Sequence, residues 1–387
     1  MGPSDVTSHN KQIPAINGLR AFAILYVVAL HLYGYFKAQK VFVLGKDGTP
    51  FSILEAVLLN GGFGVSMFFV ISGFLIFRSL QNKYAEATSR KAVLKNYFKR
   101  RFTRIEPPYL IALIINFILL LIKIPSSMVD AFQEQWPHLL TSLLYCHNIV
   151  FPARLDSLNM GVWSLEVEIQ FYLLAPLLLL PLMRIAPVKR NILLATFWLL
   201  ALVCNLIWQP PFQSVYQWLP YFLSGVFLSS LRPQPIAQRR NWFLFLAGVL
   251  LLCLILFRLP LMETRVPTAF HRLVNRGLYP IITALFFAVV FRSASLNYLF
   301  TRRPLPFIGY ICYSIYLMHY PIIAFTGSFV RGMHISDHYW LSFFLQALFI
   351  GPFTLLGCTL FYRMFEKPFL QNSILDRKTG PYTGVHR

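Results

Sequence analysis

Long apolar runs separated by short polar segments recur along the whole chain. A membrane-spanning helix needs about 20 predominantly apolar residues, because a rise of about 1.5 Å per residue must cross a hydrocarbon core about 30 Å thick. Ten runs approach this length, and they predict an all-α polytopic membrane protein with about ten transmembrane helices. The runs cover residues 16–36, 63–80, 107–124, 162–183, 192–207, 216–231, 242–257, 278–291, 307–330 and 340–361.

The composition agrees with a membrane environment. Of the 387 residues, 57% are hydrophobic and 13% are charged, whereas soluble domains carry roughly 25% charged residues. The first apolar run has spanning length and lacks a small-residue cleavage site, so we interpret it as a membrane helix and not as a signal peptide. No loop is long enough for a separate domain. We therefore expect one membrane domain over residues 1–370 and a short cytoplasmic tail over residues 371–387.

The charge distribution predicts an orientation and excludes one class of partner. The chain carries 35 Lys and Arg against 14 Asp and Glu, a net charge of +21. Because the basic residues lie between apolar runs and not on a soluble face, we expect no nucleic acid partner. Short cytoplasmic loops retain Lys and Arg. Placing both termini in the cytoplasm leaves more than twice as many basic residues inside as outside.

The cysteines do not indicate a metal or redox site. All but one of the five lie inside apolar runs, and none forms a CxxC motif or a Cys/His ligand pair. Such cysteines are typical small core residues, and we expect no bound metal and no bound cofactor.

The first apolar run contains two ionisable residues, Arg20 and His31. A charged residue inside a span costs about 2.5 to 3.5 kcal/mol on insertion scales, so each calls for an explanation. Eleven residues correspond to about 16 Å and close to three turns, which puts both side chains on one helix face. Arg20 could be a snorkelling anchor and His31 a hydrogen-bonded bundle residue. The alternative is catalysis, since histidine is well suited to act as a general base near neutral pH.

A dense basic segment contains Arg101 and Arg104, which are neighbours on one helical face. Positive-inside charge that meets anionic lipid explains such a segment without a specific site. The second interpretation is that the two guanidinium groups bind the phosphates of a nucleotide-bearing donor.

Further polar residues occur within later spans. Glu168 lies deep in the fourth span, where a carboxylate must be protonated, paired or exposed to water. A plain interfacial glutamate or a polar interhelical network would also account for these residues. Glu366 beside Lys367 looks like an ordinary interfacial pair. The candidates for oxyanion stabilisation or acceptor binding are Tyr172, Tyr316 and His319.

Taken together, these segments resemble the membrane acyltransferase-3 family. The matching parts are the Arg20 and His31 pair and the segments at 68–76, 100–109, 163–173, 313–321 and 365–369. The resemblance implies transfer of acetyl or related groups from acyl-coenzyme A to sugar hydroxyls of bacterial glycans at the inner membrane. It also implies that His31 and Arg20 are catalytic, and that Arg101, Arg104 and Glu168 match family positions.

Two departures from the family pattern are visible. The frequent YLWHYP segment reads YLMHYP here, with Met318, and the sequence ends at Arg387. We therefore expect a stand-alone form without the extracytoplasmic hydrolase-like domain that some relatives carry.

The expected mechanism starts with acyl-coenzyme A entering from the cytoplasm, its phosphates bound by Arg101 and Arg104. His31 then deprotonates the glycan hydroxyl, and Glu168 orients or charge-stabilises His31. A transporter or flippase would also need intramembrane charge, but it favours repeats and broken helices, for which the sequence gives no sign. A structural scaffold would not need Arg20, His31 and Glu168.

Overall fold

The computed structural model describes residues 14–38, 53–86, 89–123, 127–152, 158, 161–208, 210–231, 241–257, 270, 273–330 and 339–370. Within these residues the secondary structure is helical, and no strand occurs. The predicted tail at 371–387 lies outside the described residues. We number the α-helices α1 Pro14–Ala38, α2 Ile53–Leu59, α3 Phe63–Glu86, α4 Arg90–Lys123, α5 Met128–Leu143, α6 His147–Val150, α7 Val162–Leu179, α8 Pro187–Ile207, α9 Val215–Ser230, α10 Trp242–Leu256, α11 Tyr279–Arg292, α12 Ala294–Thr301, α13 Leu305–Tyr310, α14 Cys312–Val330 and α15 Tyr339–Phe361.

The predicted class of an all-α polytopic membrane protein is confirmed. Within the described residues, seven helical stretches are long and apolar enough to cross a membrane. They are Pro14–Phe36, Ile53–Ala85, Arg90–Ile122, Val162–Arg184, Pro187–Ile207, Leu273–Arg292 and Trp340–Leu370.

The other three predicted spans are helical, but they do not establish the predicted count of ten. Helices α9 and α10 contain 16 and 15 residues, which is shorter than the usual spanning length. The predicted span at 307–330 is divided between α13 and the 19-residue α14.

Several helices begin at a polar residue that satisfies a free backbone N–H group. Ser127 caps α5, Asn241 caps α10 and Ser293 caps α12, each accepting a hydrogen bond from the backbone three residues later. Such caps satisfy donors that the first helical turn leaves unpaired. They therefore help to define where these helices start.

Glycines allow α3 and α9 to pack with their backbones in contact. A Cβ atom on Gly73 would collide with the backbone of Phe222, and one on Gly225 would collide with the backbone of Val70. Membrane helices use small residues in this way because dispersion contacts increase as backbones approach. These two glycines therefore permit the close crossing of α3 and α9.

Helices α1 and α14 run parallel, and their register determines which polar groups meet. Both Arg20 and Cys312 line one cavity near the starts of these helices. Further along, the ring of His31 lies 5.1 Å from that of His319, between ring centroids. Beyond them, Tyr35 fills the space beside Gly327. Residues that are far apart in sequence are therefore matched in depth.

The segment that contains α5 and α6 folds back onto the helix bundle. The Tyr109 hydroxyl donates to the backbone oxygen of Ser142 over 2.8 Å. Tyr145, which has a positive φ of 54°, donates a hydrogen bond to Glu106. The backbone N–H of Asn148 donates to Glu166 over 2.9 Å. These contacts attach the segment to α4 and α7.

Candidate active site

One cavity lies between α1, α3, α4, α7 and α14. It contains about 800 Å³ of empty space, including the space at its opening. Apolar side chains of α3 form much of its wall, so polar groups in it interact in a partly apolar environment. The polar and sulfur-containing residues that line it are Arg20, Ser72, Arg101, Arg104, Ser164, Glu168, Tyr172, Cys312, Tyr313 and Tyr316.

The cavity is positively charged. Its lining includes the guanidinium groups of Arg20, Arg101 and Arg104 and one carboxylate, that of Glu168. The structure thus brings together four of the five residues predicted for catalysis and donor binding, although they come from three different helices. An excess of guanidinium groups in a confined space favours an anionic ligand, and phosphates match the geometry of guanidinium particularly well.

Aromatic contacts hold Arg101 in place. Its guanidinium carbon lies 4.7 Å from the ring centroid of Tyr172 and 5.8 Å from that of Tyr97. The Tyr97 hydroxyl in turn donates to the backbone oxygen of Tyr172 over 3.1 Å. Stacking of this kind orients an arginine without neutralising it, so Arg101 keeps its charge available to a ligand.

Glu168 accepts hydrogen bonds from two hydroxyl groups of the cavity wall. The donors are Ser72 on α3 and Tyr172 one turn further along α7. In the part of the chain that the structure describes, Glu168 forms its hydrogen bonds with these residues and not with His31. Tyr172, a predicted oxyanion or acceptor contact, therefore lies beside the arginines and Glu168.

Glu366 is a buried residue and not the ordinary interfacial residue that the sequence suggested. Its side chain is 1% exposed, whereas Lys367 is exposed. The Ser314 hydroxyl donates to the Glu366 carboxylate over 2.5 Å, and the carboxylate interacts electrostatically with Arg104 and Arg20. The signal that could have identified it was its place in the segment 365–369, one of the segments that carry the family resemblance.

Tyr316 marks the part of the cavity that is nearest to the histidine pair. Its hydroxyl lies 2.7 Å from the Ser164 hydroxyl and donates to the backbone oxygen of Gly161. His319 follows Tyr316 by three residues on α14, which corresponds to about 4.5 Å along the helix axis. The sequence did not single out Ser164, because an isolated hydroxyl in an apolar run gives no signal of its own.

His31 and His319 form a pair and do not belong to the cavity lining. Their ring centroids are 5.1 Å apart, and the ring of Tyr320 lies 5.6 Å from that of His31. His31 is partly exposed, and His319 is fully buried. The sequence-predicted residues therefore occupy two adjacent regions, a charged cavity and a histidine pair.

The described residues contain no group of three or more His, Cys, Asp or Glu side chains that could hold a metal ion. Acid–base and electrostatic catalysis by side chains is the chemistry that the cavity and the histidine pair offer.

The fold and the cavity define an integral membrane protein with an arginine-lined cavity within its helix bundle and two histidines next to that cavity. The chain belongs to the acyltransferase-3 family: the family model, described as an acyltransferase domain, matches residues 13–363.

Similar proteins include O-acetyltransferases of two bacteria. The peptidoglycan O-acetyltransferase OatA of Listeria monocytogenes is 27% identical over 399 residues, covering 96% of this chain and 58% of that protein. The O-acetyltransferase OatA of Staphylococcus aureus strain NCTC 8325 is 28% identical over 411 residues, covering 96% of this chain and 60% of that protein. The chain spans about three fifths of the length of these curated relatives. No solved structure matches it.

Proposed function

We propose that this protein is a membrane O-acetyltransferase that moves an acetyl group from acetyl-coenzyme A to a hydroxyl of a bacterial glycan. The family match supports acyl transfer, and the names of the similar proteins support O-acetylation. The observation that carries the donor assignment is the cavity with three arginines and one glutamate. An acyl-coenzyme A molecule offers several phosphates to such a site.

Different parts of the site contact different parts of the donor molecule. Arg101 and Arg104 bind the phosphates, because guanidinium groups form bidentate hydrogen bonds to phosphate oxygens. The pantetheine arm follows the apolar wall of α3 toward Ser164 and Tyr316. The thioester then lies next to the His31 and His319 pair. The proposed orientation in the inner membrane, with both termini cytoplasmic, opens the arginine side of the cavity to the cytoplasmic donor.

The proposed reaction is a single acyl transfer. His31 removes the proton from the acceptor hydroxyl, and the resulting oxygen nucleophile attacks the thioester carbonyl. The new C–O bond forms, the C–S bond breaks, and the coenzyme A thiolate leaves and takes up a proton. Arg20 adds positive charge to the cavity that holds the donor, and Glu168 keeps Ser72 and Tyr172 in position by accepting their hydrogen bonds. Tyr316 can donate a hydrogen bond to the developing oxyanion once its hydroxyl turns from the backbone oxygen of Gly161 to the thioester carbonyl.

Mass spectrometry of surface glycans tests this function in cells. Cells with the gene should carry O-acetyl groups that are absent from cells without it. The His31→Ala variant should behave like the deletion, because loss of a general base lowers a rate by about 100 to 10,000-fold. Immunoblots must show equal amounts of both proteins in the membrane. Identical O-acetylation with and without the gene would contradict the proposal, and full O-acetylation by His31→Ala would contradict the role of His31.

A further inference from the structure

His319 is held in one tautomer by its own helix. Its Nδ1 atom lies 2.8 Å from the backbone oxygen of Ile315 and 3.0 Å from that of Tyr316. Carbonyl oxygens only accept hydrogen bonds, so Nδ1 must carry a proton. In a neutral imidazole the other nitrogen, Nε2, then has a free lone pair and acts as an acceptor.

The Nε2 atom of His319 is buried and lacks a hydrogen-bond partner among the residues that the structure describes. His319 itself is 0% exposed. An unsatisfied buried polar atom costs about 1 to 3 kcal/mol, which makes such atoms rare and often functional. The Nε2 atom can therefore accept a hydrogen bond from an N–H or O–H group that moves a short distance towards it.

His31 is well placed to be that donor. Its ring centroid lies 5.1 Å from that of His319, with the ring planes tilted by 50°. A second histidine pair in the same protein, His138 and His147, has nearly the same geometry, with 5.2 Å between centroids and a tilt of 45°. In that pair, a direct hydrogen bond of 3.0 Å joins the two rings. The spacing of His31 and His319 is thus compatible with a hydrogen bond between ring nitrogens.

We propose that His319 is a positioning residue for His31, with its Nε2 atom accepting a hydrogen bond from a ring N–H of His31. The bond selects the His31 tautomer whose other nitrogen is free to remove the proton from the acceptor hydroxyl. His319 thereby takes the orienting role that an acidic residue has in many catalytic triads. The inference rests on the proposed function and assigns to His319 the role that the sequence suggested for Glu168.

Two substitutions separate this role from a purely structural one. His319→Asn keeps an amide N–H near the Nδ1 position, where it can still bind the backbone carbonyls, but it offers nothing at the Nε2 position. His319→Gln places an amide group near the Nε2 position, where its oxygen can accept from His31. Transfer from acetyl-coenzyme A by the purified full-length protein gives kcat and KM for each variant.

We expect His319→Gln to retain more of the parental kcat than His319→Asn, which should lose roughly 100-fold or more, as a misoriented base does. The KM for acetyl-coenzyme A should remain within about threefold in both variants, because the arginines are unchanged. A His319→Asn protein with parental kcat would overturn the inference. A raised KM with unchanged kcat in both variants would also overturn it.

A spectroscopic measurement keeps the inference testable apart from the proposed function. Nuclear magnetic resonance of isotope-labelled histidine distinguishes the tautomers of His31 without any substrate. The parent should show one dominant His31 tautomer, and His319→Asn should show a mixture. A parent that transfers no acetyl group but shows the His319-dependent tautomer would refute the function alone. An unchanged His31 tautomer in His319→Asn would refute the positioning role alone.

Discussion

Individual charged residues are where the sequence was most informative about the site. Arg20, Arg101, Arg104 and Glu168 were singled out because charge inside a membrane is costly, and all four line one cavity. The partners of these residues were not predictable in the same way. That Glu168 accepts from Ser72, and that Glu366 accepts from Ser314, depends on helix packing over long sequence separations.

Donor binding should depend on Arg101 and Arg104. The Arg101→Ala/Arg104→Ala double variant should lose acetyl-coenzyme A affinity by a factor of ten or more, since each charged hydrogen bond contributes roughly 1.5 to 3 kcal/mol. Arg101→Lys should recover only part of the affinity, because lysine lacks the planar fork that stacks on Tyr172 and binds phosphate bidentately. Isothermal titration in detergent measures these affinities.

Arg100→Ala provides the matched control for this measurement. Arg100 is adjacent to Arg101, but it is exposed and does not line the cavity. Its loss should therefore leave the affinity for acetyl-coenzyme A near the parental value. Equal weakening by Arg100→Ala and by the double variant would show that general positive charge, and not the cavity, binds the donor.

At the scale of helices, the lengths of the apolar runs predicted seven of the spans. The sequence could not predict where a span divides, as at Ile311 between α13 and α14, because hydropathy is continuous through such a break. It also could not predict that α5 and α6 pack against α4 and α7. The contacts of Tyr145 and Asn148 that attach this segment are tertiary contacts with no local sequence signal.

The crossing of α3 and α9 should be sensitive to a single methyl group. Gly73→Ala and Gly225→Ala each place a Cβ atom against backbone, and overpacking of this kind typically costs about 1 to 3 kcal/mol. Both variants should unfold at lower temperature than the parent in detergent. Gly351→Ala is the control, since no atom lies within 4 Å of its added Cβ. Equal unfolding temperatures in all variants would contradict the close crossing.

For the whole molecule, the all-α membrane class followed from the lengths of the apolar runs and from the composition, and the family resemblance followed from motifs spread over most of the chain. The position of the histidine pair next to the cavity could not be predicted from the sequence, because it depends on the parallel register of α1 and α14. Cys312 near Arg20 and His319 near His31 establish that register. In the proposed orientation, the arginine side of the cavity faces the cytoplasm, from which the proposed donor acetyl-coenzyme A enters.

Sealed membrane vesicles of known orientation test the central claim most directly. Labelled acetyl-coenzyme A, which is too highly charged to cross the bilayer, is added outside inverted or right-side-out vesicles, and label on glycan is measured. We predict transfer by inverted vesicles, whose cytoplasmic face is exposed, and only background transfer by right-side-out vesicles and by inverted vesicles containing His31→Ala. Efficient labelling in right-side-out vesicles, or undiminished labelling by His31→Ala, would contradict the account.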